Sequence, residues 1–213
     1  MNKKMLQLIL SWPKPYISGT DFSVSLDKSA NARHALIKRA LGEYLLPIKR
    51  DLYLISSRYA YQKVDLFEIA PLIYGPSYIS FESALSFHGW IPEAVITTTC
   101  ACVKRSRKFK NYVGLFSYER IPLKAFHIGV GQHRKNNEVL FIAEPWKALA
   151  DYLYVRKRVW PNSKALSEDL RIEMDDLQNS DKELLSNLSQ VYPSARVRKA
   201  LSLLFKDLFG NEL

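Results

Sequence analysis

The chain has 213 residues, 47% of them hydrophobic, and carries 31 Lys and Arg against 21 Asp and Glu, for a net charge of +10 and a pI near 9.5. Two cysteines and eight glycines exclude a disulfide-stapled scaffold and leave little material for glycine-rich phosphate-binding loops. This length suits one large domain or two small ones, and the positive charge favours a polyanionic partner, such as nucleic acid, an anionic membrane or an acidic protein.

The first residues and the cysteines bear on the cellular compartment. MNKKMLQLILSWPKP superficially resembles a signal peptide, but its apolar stretch, Met5 to Leu10, is too short and no small-residue cleavage site follows. No segment approaches the ~20 apolar residues that span a bilayer. Cys100 and Cys102 lack a second cysteine pair, which favours strand packing over a metal site. We therefore expect a cytoplasmic protein with no membrane partner, metal or cofactor.

The first quarter of the chain predicts three helices. Residues 3–11 form the first, which the two prolines of WPKP end, and Tyr16-Ile17 suits a short strand. SGTDFSVSL predicts a second helix with Ser18 or Thr20 as its N-cap, and Ser29 caps the third.

The third helix has the composition of a helix that enters a DNA groove. Its apolar side comprises Leu36, Ile37, Ala40 and Tyr44. Its outward side is small, polar and basic, with Asn31, His34, Ala35, Lys38 and Gly42, and with Arg39 at the flank. Small residues allow close approach, and amides and cations meet base edges and phosphates. Arg33 falls on the apolar side, close enough to the helix start to reach outward.

A basic hairpin follows the third helix. Strands at Leu45–Ile48 and Leu52–Ile55 flank the polar turn Lys49-Arg50-Asp51. Three helices and a basic hairpin are the order of a winged helix-turn-helix, in which the third helix reads the major groove and the hairpin grips the backbone. We predict such a DNA-binding domain over residues 1–58, with Asn31, His34, Lys38, Arg39, Lys49 and Arg50 on the DNA. The alternative is a helical lid with solvated charges.

Residues 64–213 predict a mixed α/β domain, so the fold class is α+β. Ser80 caps a helix over FESALSFHG, and AVITTTCACV and LFSYERI form paired strands. FHIGVG and EVLFIA flank a polar turn, QHRKNN, which gives a small, largely antiparallel sheet. Pro145 begins a helix, Ser180-Asp181-Lys182-Glu183 is a capping box, and Ser194 caps the last helix of a helical tail.

A second basic run lies between the first two strands of this domain, near a turn at residues 111–114. It comprises Lys104, Arg105, Arg107, Lys108 and Lys110, with no acid among them. Three roles are open for this run. We rank additional contacts with DNA first, docking of an acidic protein second and a solvated turn without a partner third.

Catalytic patterns are missing from the sequence. There is no G-x-S-x-G, no phosphate-cradling loop and no H-E-x-x-H. Glu119, Glu138 and Glu144 are isolated carboxylates, and His88, on an apolar helix face, suits a packed core residue better than a catalytic one. We therefore expect no enzyme activity.

Residues 77–155 resemble the core of AbiEi-type antitoxins, which belong to bacterial type IV abortive-infection toxin–antitoxin systems. The resemblance rests on YISFESAL, a G-x-I-P-E turn, a β-branched strand, the K-R-S-R-x-F basic run, an F-x-Y strand and FIAEPWKALADYLY, in that order. Trp146 stands where the family has an acidic residue. The resemblance implies that the N-terminal domain binds operator DNA, often at inverted repeats, and represses its own operon. It also implies that the C-terminal domain neutralises a nucleotidyltransferase-like toxin, without requiring direct contact between the toxin and the antitoxin.

Two other hypotheses remain open on the sequence. One is a stand-alone winged-helix regulator whose C-terminal domain senses a ligand or forms a dimer. The other is a metal-dependent nuclease, which requires Glu144 and further carboxylates on adjacent strands.

Overall fold

The computed structural model describes residues 3–60, 62–135 and 138–210. It has an α+β fold with a small antiparallel sheet and a larger mixed sheet. The chain divides into two compact units. The N-terminal unit comprises the residues up to Ile69 together with Lys110–Leu115, and the C-terminal unit comprises Ala70–Phe109 and the residues from Phe116 onward.

The helices and strands of the N-terminal unit follow the predicted order. They are α1 (Lys3–Ser11), β1 (Tyr16–Ser18), α2 (Gly19–Ser25), α3 (Ala30–Ala40), β2 (Leu45–Lys49) and β3 (Leu52–Ile55). Ser29 is the N-cap of α3, as predicted, and Ser18 is the N-cap of α2, which selects it over the alternative Thr20. Gly42, which the sequence placed on the outward stripe of α3, lies beyond the helix in a left-handed conformation with φ 90°.

The three strands of this unit form one antiparallel sheet in the order β1–β3–β2. Pro47 lies in β2, which is an edge strand and therefore tolerates a residue without a backbone donor. The extra residue Ile48 shifts the register before the turn. The sheet packs against all three helices around one buried cluster of Met5, Ile9, Ile17, Phe22, Leu26, Leu36, Ile37, Ala40, Leu45 and Ile55.

A six-stranded mixed sheet organises the C-terminal unit. After α4 (Leu66–Ile73) come β4 (Ser77–Ile79), α5 (Phe81–Phe87), β5 (Thr97–Cys102), β6 (Arg107–Lys110), β7 (Leu115–Arg120), β8 (Val130–Lys135) and β9 (Glu138–Ala143). Their order is β6–β7–β5–β4–β9–β8. The pairs β4–β5 and β8–β9 are antiparallel, whereas β4–β9 is parallel. The sheet is thus larger and more mixed than the sequence predicted.

Three local predictions for this sheet were incomplete or wrong. β4 and β6 were missed, because three and four residues give little periodicity to recognise. β8 begins at Val130, not at Phe126, so Gln132–Lys135 belongs to a strand instead of the predicted turn. The last two residues of that turn, Asn136 and Asn137, lie outside the described residues.

The turn between β6 and β7 was predicted correctly at residues 111–114. The Asn111 N–H donates to the Gly114 carbonyl at 3.1 Å, and Asn111 Oδ1 accepts from the Val113 and Gly114 N–H groups at 3.0 and 3.3 Å. Asn111 Nδ2 also donates to the Ile48 carbonyl at 3.5 Å. This turn therefore belongs by its contacts to the N-terminal unit, although its flanking strands belong largely to the other sheet.

Helices complete the C-terminal unit: α6 (Pro145–Arg156), α7 (Ser163–Leu170), α8 (Met174–Gln178), α9 (Lys182–Val191) and α10 (Ala195–Phe209). Pro145 lies in the first turn of α6 and Ser194 is the N-cap of α10, as predicted. The predicted capping box at Ser180 is wrong, because Asp181 is the N-cap and its Oδ1 accepts from the Leu184 N–H at 2.8 Å. Ser180 instead accepts from Trp146 Nε1 at 2.8 Å.

A buried ion pair lies at the centre of this unit. Lys147 and Asp151 occupy successive turns of α6, both side chains are 0% exposed, and Lys147 Nζ lies 2.7 Å from Asp151 Oδ1. Lys147 also donates to the Ala125 carbonyl at 2.8 Å, and Asp151 accepts from Tyr78 (2.7 Å), Ser80 (2.9 Å) and Tyr192 (3.1 Å). Burial lowers the pKa of Lys147, and the attraction of Asp151 opposes that shift. The hydrogen bonds offset the desolvation of both charges.

Candidate nucleic-acid interface

Helix α3 presents four of the predicted DNA-binding residues to solvent. Ser29 Oγ accepts from the Ala32 N–H at 3.4 Å and begins the helix, while Leu36, Ile37 and Ala40 are buried against the core. Much of the rest of the helix surface is exposed, and Asn31, His34, Lys38 and Arg39 lie on it. The amphipathic pattern therefore fixes which side of α3 a ligand can reach.

The β2–β3 hairpin presents Lys49 and Arg50, which are also exposed. Lys49 ends β2 and pairs with Leu52, so the turn consists of Arg50 and Asp51 alone, one residue shorter than predicted. Asp51 adopts a left-handed conformation with φ 58°, which Asp tolerates better than most residues. Arg50 Nε lies 3.6 Å from Asp51 Oδ2, and the two side chains are 96% and 68% exposed. An ion pair so exposed contributes little to stability.

The start of α2 holds the hairpin tip in place. Ser18 and Asp21 form a reciprocal capping box at this helix end. The next residue, Gly19, donates its N–H to the Asp51 carbonyl at 2.9 Å. A Cβ on Gly19 would lie 3.1 Å from Asp51 Cβ, so glycine permits this close approach. The tip is therefore attached to α2 as well as to its own strands.

These three elements enclose a groove of about 490 Å³. Helix α2 contributes Gly19, Thr20 and Ser23, and the hairpin contributes Asp51 and Tyr53. Helix α3 contributes Ala30, Asn31, Arg33, His34 and Ile37. Two predicted DNA-binding residues, Asn31 and His34, thus share one concave surface with the hairpin tip.

The remaining cations of α3 lie at different angles from this groove. At about 100° per residue, Lys38 lies about 40° around the helix from His34, whereas Arg39 lies about 140° away. Lys38 therefore stands beside the groove, and Arg39 projects from another side of the helix. The structure brings Asn31, His34 and Lys38 to one face and separates Arg39 from them.

Arg33 lines the groove although the sequence assigned it to the apolar side of α3. It is half-buried, and its Nη1 donates to the Lys28 carbonyl, which lies just before the N-cap. Helical periodicity places Arg33 among core residues because it ignores the reach of a long side chain in the first turn. Its position near the helix start was the only signal in the sequence.

The second basic run is exposed, and all of its cations except Lys110 belong to the C-terminal unit. Lys104, Arg105, Arg107 and Lys108 are exposed, and so is Lys110 at the end of β6. Tyr74 organises the run, because its hydroxyl donates to the Arg105 carbonyl at 3.0 Å. Lys104 Nζ and the Arg107 guanidinium lie 5.6 and 5.7 Å from the Tyr74 ring centre, within cation–π range. The run is therefore a structured cationic surface.

The carboxylates considered for catalysis lie in separate environments. Glu119 accepts from Ser117 at 3.2 Å and lies 3.9 Å from Arg156. Glu144 lies 3.7 Å from His133 Nε2 and 4.0 Å from His88 Nε2. His88 Nε2 is 3.0 Å from the Ala143 carbonyl, as expected for a packed residue. Burial lowers the pKa of His88, against the effect of Glu144.

Neither a metal centre nor a membrane span is found in the part of the chain that the structure describes. No group of three or more His, Cys, Asp and Glu side chains there is arranged to hold a metal ion. Cys100 and Cys102 are free and buried on β5, and burial raises the pKa of both thiols. Among those same residues, no helix combines the length and apolar character that crossing a bilayer requires.

Comparison with known proteins does not extend this picture. The chain matches no protein-family model, and no curated protein shows significant sequence similarity to it. Functional inference therefore depends on the residues and geometry described above.

Proposed function

We propose that this chain is a transcriptional repressor that binds duplex DNA through the groove of its N-terminal unit, and that it acts as the antitoxin of a type IV toxin–antitoxin system. The observation that carries the DNA-binding half is the shared groove. An exposed helix face with Asn31 and His34 shares this groove with Asp51 of the hairpin tip, and the neighbouring Lys49 and Arg50 are exposed. A duplex needs both features at once. Its base edges lie in the major groove of the DNA, which a helix can enter, and its phosphates flank that groove.

The order of elements supports this half of the proposal. Helix, strand, helix, helix and hairpin, with the sheet order β1–β3–β2, is the arrangement expected of a winged helix-turn-helix. In helix-turn-helix proteins the recognition helix lies in the major groove with its N-terminal residues on base edges. Asn31 and His34 lie in the first turns of α3, so they suit base contacts. Lys38 and Arg50 suit phosphates.

Charge distribution also supports duplex binding. Residues 1–50 contain nine Lys and Arg but three acids, a net charge of +6 from less than a quarter of the chain. Each cation that neutralises a phosphate releases counterions, which steepens the salt dependence of binding. The operator expected for such a repressor is an inverted repeat.

The antitoxin half rests on the resemblance of residues 77–155 to AbiEi-type antitoxins. The functional partner is then a nucleotidyltransferase-like toxin encoded beside this chain. The second basic run, Lys104–Lys110, offers either a further DNA contact or a surface for an acidic protein. The two halves of the proposal are tested separately.

Gel-shift titration against the DNA upstream of the chain's own gene tests the repressor half. We expect a preference over random duplex at moderate salt. A double variant, Asn31→Ala with His34→Ala, should weaken that preference while retaining binding to random duplex, because it removes two base contacts and keeps the cations. Equal affinity of the unmodified chain for both DNAs would exclude sequence-specific repression.

Co-expression with the adjacent gene tests the antitoxin half. We expect that gene alone to arrest growth and this chain to restore it. The double variant should still restore growth if neutralisation belongs to the C-terminal unit. A harmless neighbouring gene would contradict the antitoxin role and favour a stand-alone regulator.

A further inference from the structure

Arg33 differs from the other cations of the N-terminal unit in how it is held. It is the only Lys or Arg among the groove-lining residues that the structure describes. The side chain is half-buried, whereas Lys38, Arg39, Lys49 and Arg50 are exposed. A half-buried guanidinium in a groove wall has fewer orientations than a cation on a freely solvated stem.

One hydrogen bond sets the orientation of the guanidinium. Nη1 donates to the Lys28 carbonyl, so that side of the planar group is anchored to the backbone. The opposite edge, with Nε and Nη2, then forms a two-donor fork. Such a fork matches the O6 and N7 acceptors of guanine in the major groove, the commonest specific contact between proteins and DNA.

The surroundings of Arg33 permit a base edge to approach. Its neighbours in the groove wall include the small residues Gly19 and Ala30 and the hydroxyl residues Thr20 and Ser23. The groove also holds the larger side chains of His34, Ile37 and Tyr53 and the carboxylate of Asp51. A phosphate contact, by contrast, is better served by the exposed Lys38 beside the groove.

We propose that Arg33 is a specificity-determining residue that reads a guanine in the bound duplex through its Nε–Nη2 edge, with Nη1 held by the Lys28 carbonyl. This inference rests on the proposed duplex binding. It extends that function by naming the base recognised and the residue responsible. The bond to Lys28 also braces the start of α3, so the test must separate reading a base from bracing a helix.

The experiment is selection from a pool of duplexes with a randomised central segment, followed by affinity and salt-dependence measurements. The full chain is compared with Arg33→Lys, which keeps the charge and loses the fork, and with Arg33→Gln, whose amide suits adenine. Arg58→Lys is the matched control, because it makes the same chemical change at an exposed arginine outside α3 and outside the groove. Thermal unfolding of each variant reports any loss of the helix brace.

We expect the unmodified chain and Arg58→Lys to select a G·C pair at one fixed position. Arg33→Lys should lose that selection by about 5- to 150-fold, with little change in affinity for random duplex. Arg33→Gln should shift the selected base toward adenine.

Three results would overturn the inference. The first is a uniform loss of affinity in Arg33→Lys with an unchanged selected sequence and a salt slope shallower by about 0.9, which marks a phosphate contact. The second is an unchanged sequence and affinity with lower thermal stability, which marks a brace alone. The third is binding of random duplex by the unmodified chain without any selection. A complete lack of duplex binding would instead contradict the proposed function itself.

Discussion

The N-terminal groove and the interior of the C-terminal unit use charged side chains in opposite ways. Near the groove, Lys38 and Arg50 lie exposed, and Arg50 Nε is 3.6 Å from the exposed carboxylate of Asp51. Inside the C-terminal unit, Lys147 and Asp151 are fully buried and bonded to each other. The first arrangement leaves positive charge accessible to a ligand, and the second satisfies its charges internally.

This difference indicates where mutations should affect binding and where they should affect stability. An exposed cation costs little to remove from the folded state, since water already solvates it. A buried ion of a satisfied pair is different, because removing its partner leaves an uncompensated charge in the interior. Four predictions test this distinction, beginning with the largest effect.

Breaking the buried pair should cost the most. We expect Asp151→Asn to lower the free energy of unfolding of the C-terminal unit by about 3–5 kcal/mol, because the buried Lys147 would lose its counterion. Urea unfolding at neutral pH measures the change. Lys164→Ala is the matched control, since Lys164 and Glu168 also lie four residues apart but are 81% and 69% exposed. That variant should change stability by about 0.5 kcal/mol or less. Equal effects in the two variants would contradict the comparison.

Alkaline pH should destabilise the C-terminal unit through its buried tyrosines. Burial raises the pKa of Tyr78, Tyr118 and Tyr192 above 10, so above that pH the unfolded chain releases protons that the folded chain retains. Each group then lowers stability by about 1.4 kcal/mol per pH unit until its folded pKa is reached. Lys147 acts in the opposite direction because its pKa is lowered.

Tyr118→Phe isolates one of these groups. Its hydroxyl donates to the Ala70 carbonyl at 2.7 Å, so the variant loses some stability at every pH. Above pH 10, however, its stability should fall less steeply than that of the unmodified chain, by about 1.4 kcal/mol per pH unit. Urea unfolding at pH 7 and between pH 10 and 11 measures both quantities. Parallel pH profiles for the two proteins would show that Tyr118 does not retain its proton.

Two neighbouring cations of α3 should differ in their effect on binding. Lys38→Ala should weaken duplex binding by about 3- to 10-fold and make the salt slope shallower by about 0.9, as expected for one lost phosphate contact. Arg39→Ala removes the same charge from another side of the helix and should have a smaller effect. Fluorescence anisotropy at several salt concentrations measures both. A larger effect of Arg39 would place the duplex on the opposite side of α3.

Removing the acid at the hairpin tip should have the smallest effect, and in the favourable direction. Asp51→Asn keeps the size of the side chain, and Asn tolerates the left-handed backbone. We expect binding to strengthen by about two- to fivefold, since a negative charge in the groove opposes phosphates. Glu43→Gln is the control, because Glu43 precedes β2 at the other end of the hairpin, roughly 20 Å along the strand. An equal gain in both variants would indicate a non-local charge effect.

Local signals predicted most of the N-terminal unit. Caps, helical periodicity and a polar turn each depend on residues close in sequence, and they located α3 from Ser29 and the hairpin around Arg50. Helix α4 was not predicted, because it contains Pro71, which normally argues against a helix interior. β4 was too short to recognise.

The candidate site could be predicted only in part. Asn31, His34 and Lys38 follow from the amphipathic pattern of one helix, which a single sequence contains. The groove depends on the approach of Gly19 to Asp51, a tertiary contact that no local pattern specifies. The role of Lys147 and Asp151 was equally hidden, since a lysine and an aspartate four residues apart usually indicate an exposed helix face.

The turn at residues 111–114 has a consequence for how the protein is made. Through Asn111 and its bond to the Ile48 carbonyl, this short segment completes a unit whose other residues end at Ile69. During synthesis the ribosome must therefore add more than forty further residues before the first unit has all its parts. Nascent chains that stop before Gly114 would carry α3 and the hairpin without this last support, so the N-terminal unit cannot complete its contacts until much of the following sheet has been translated.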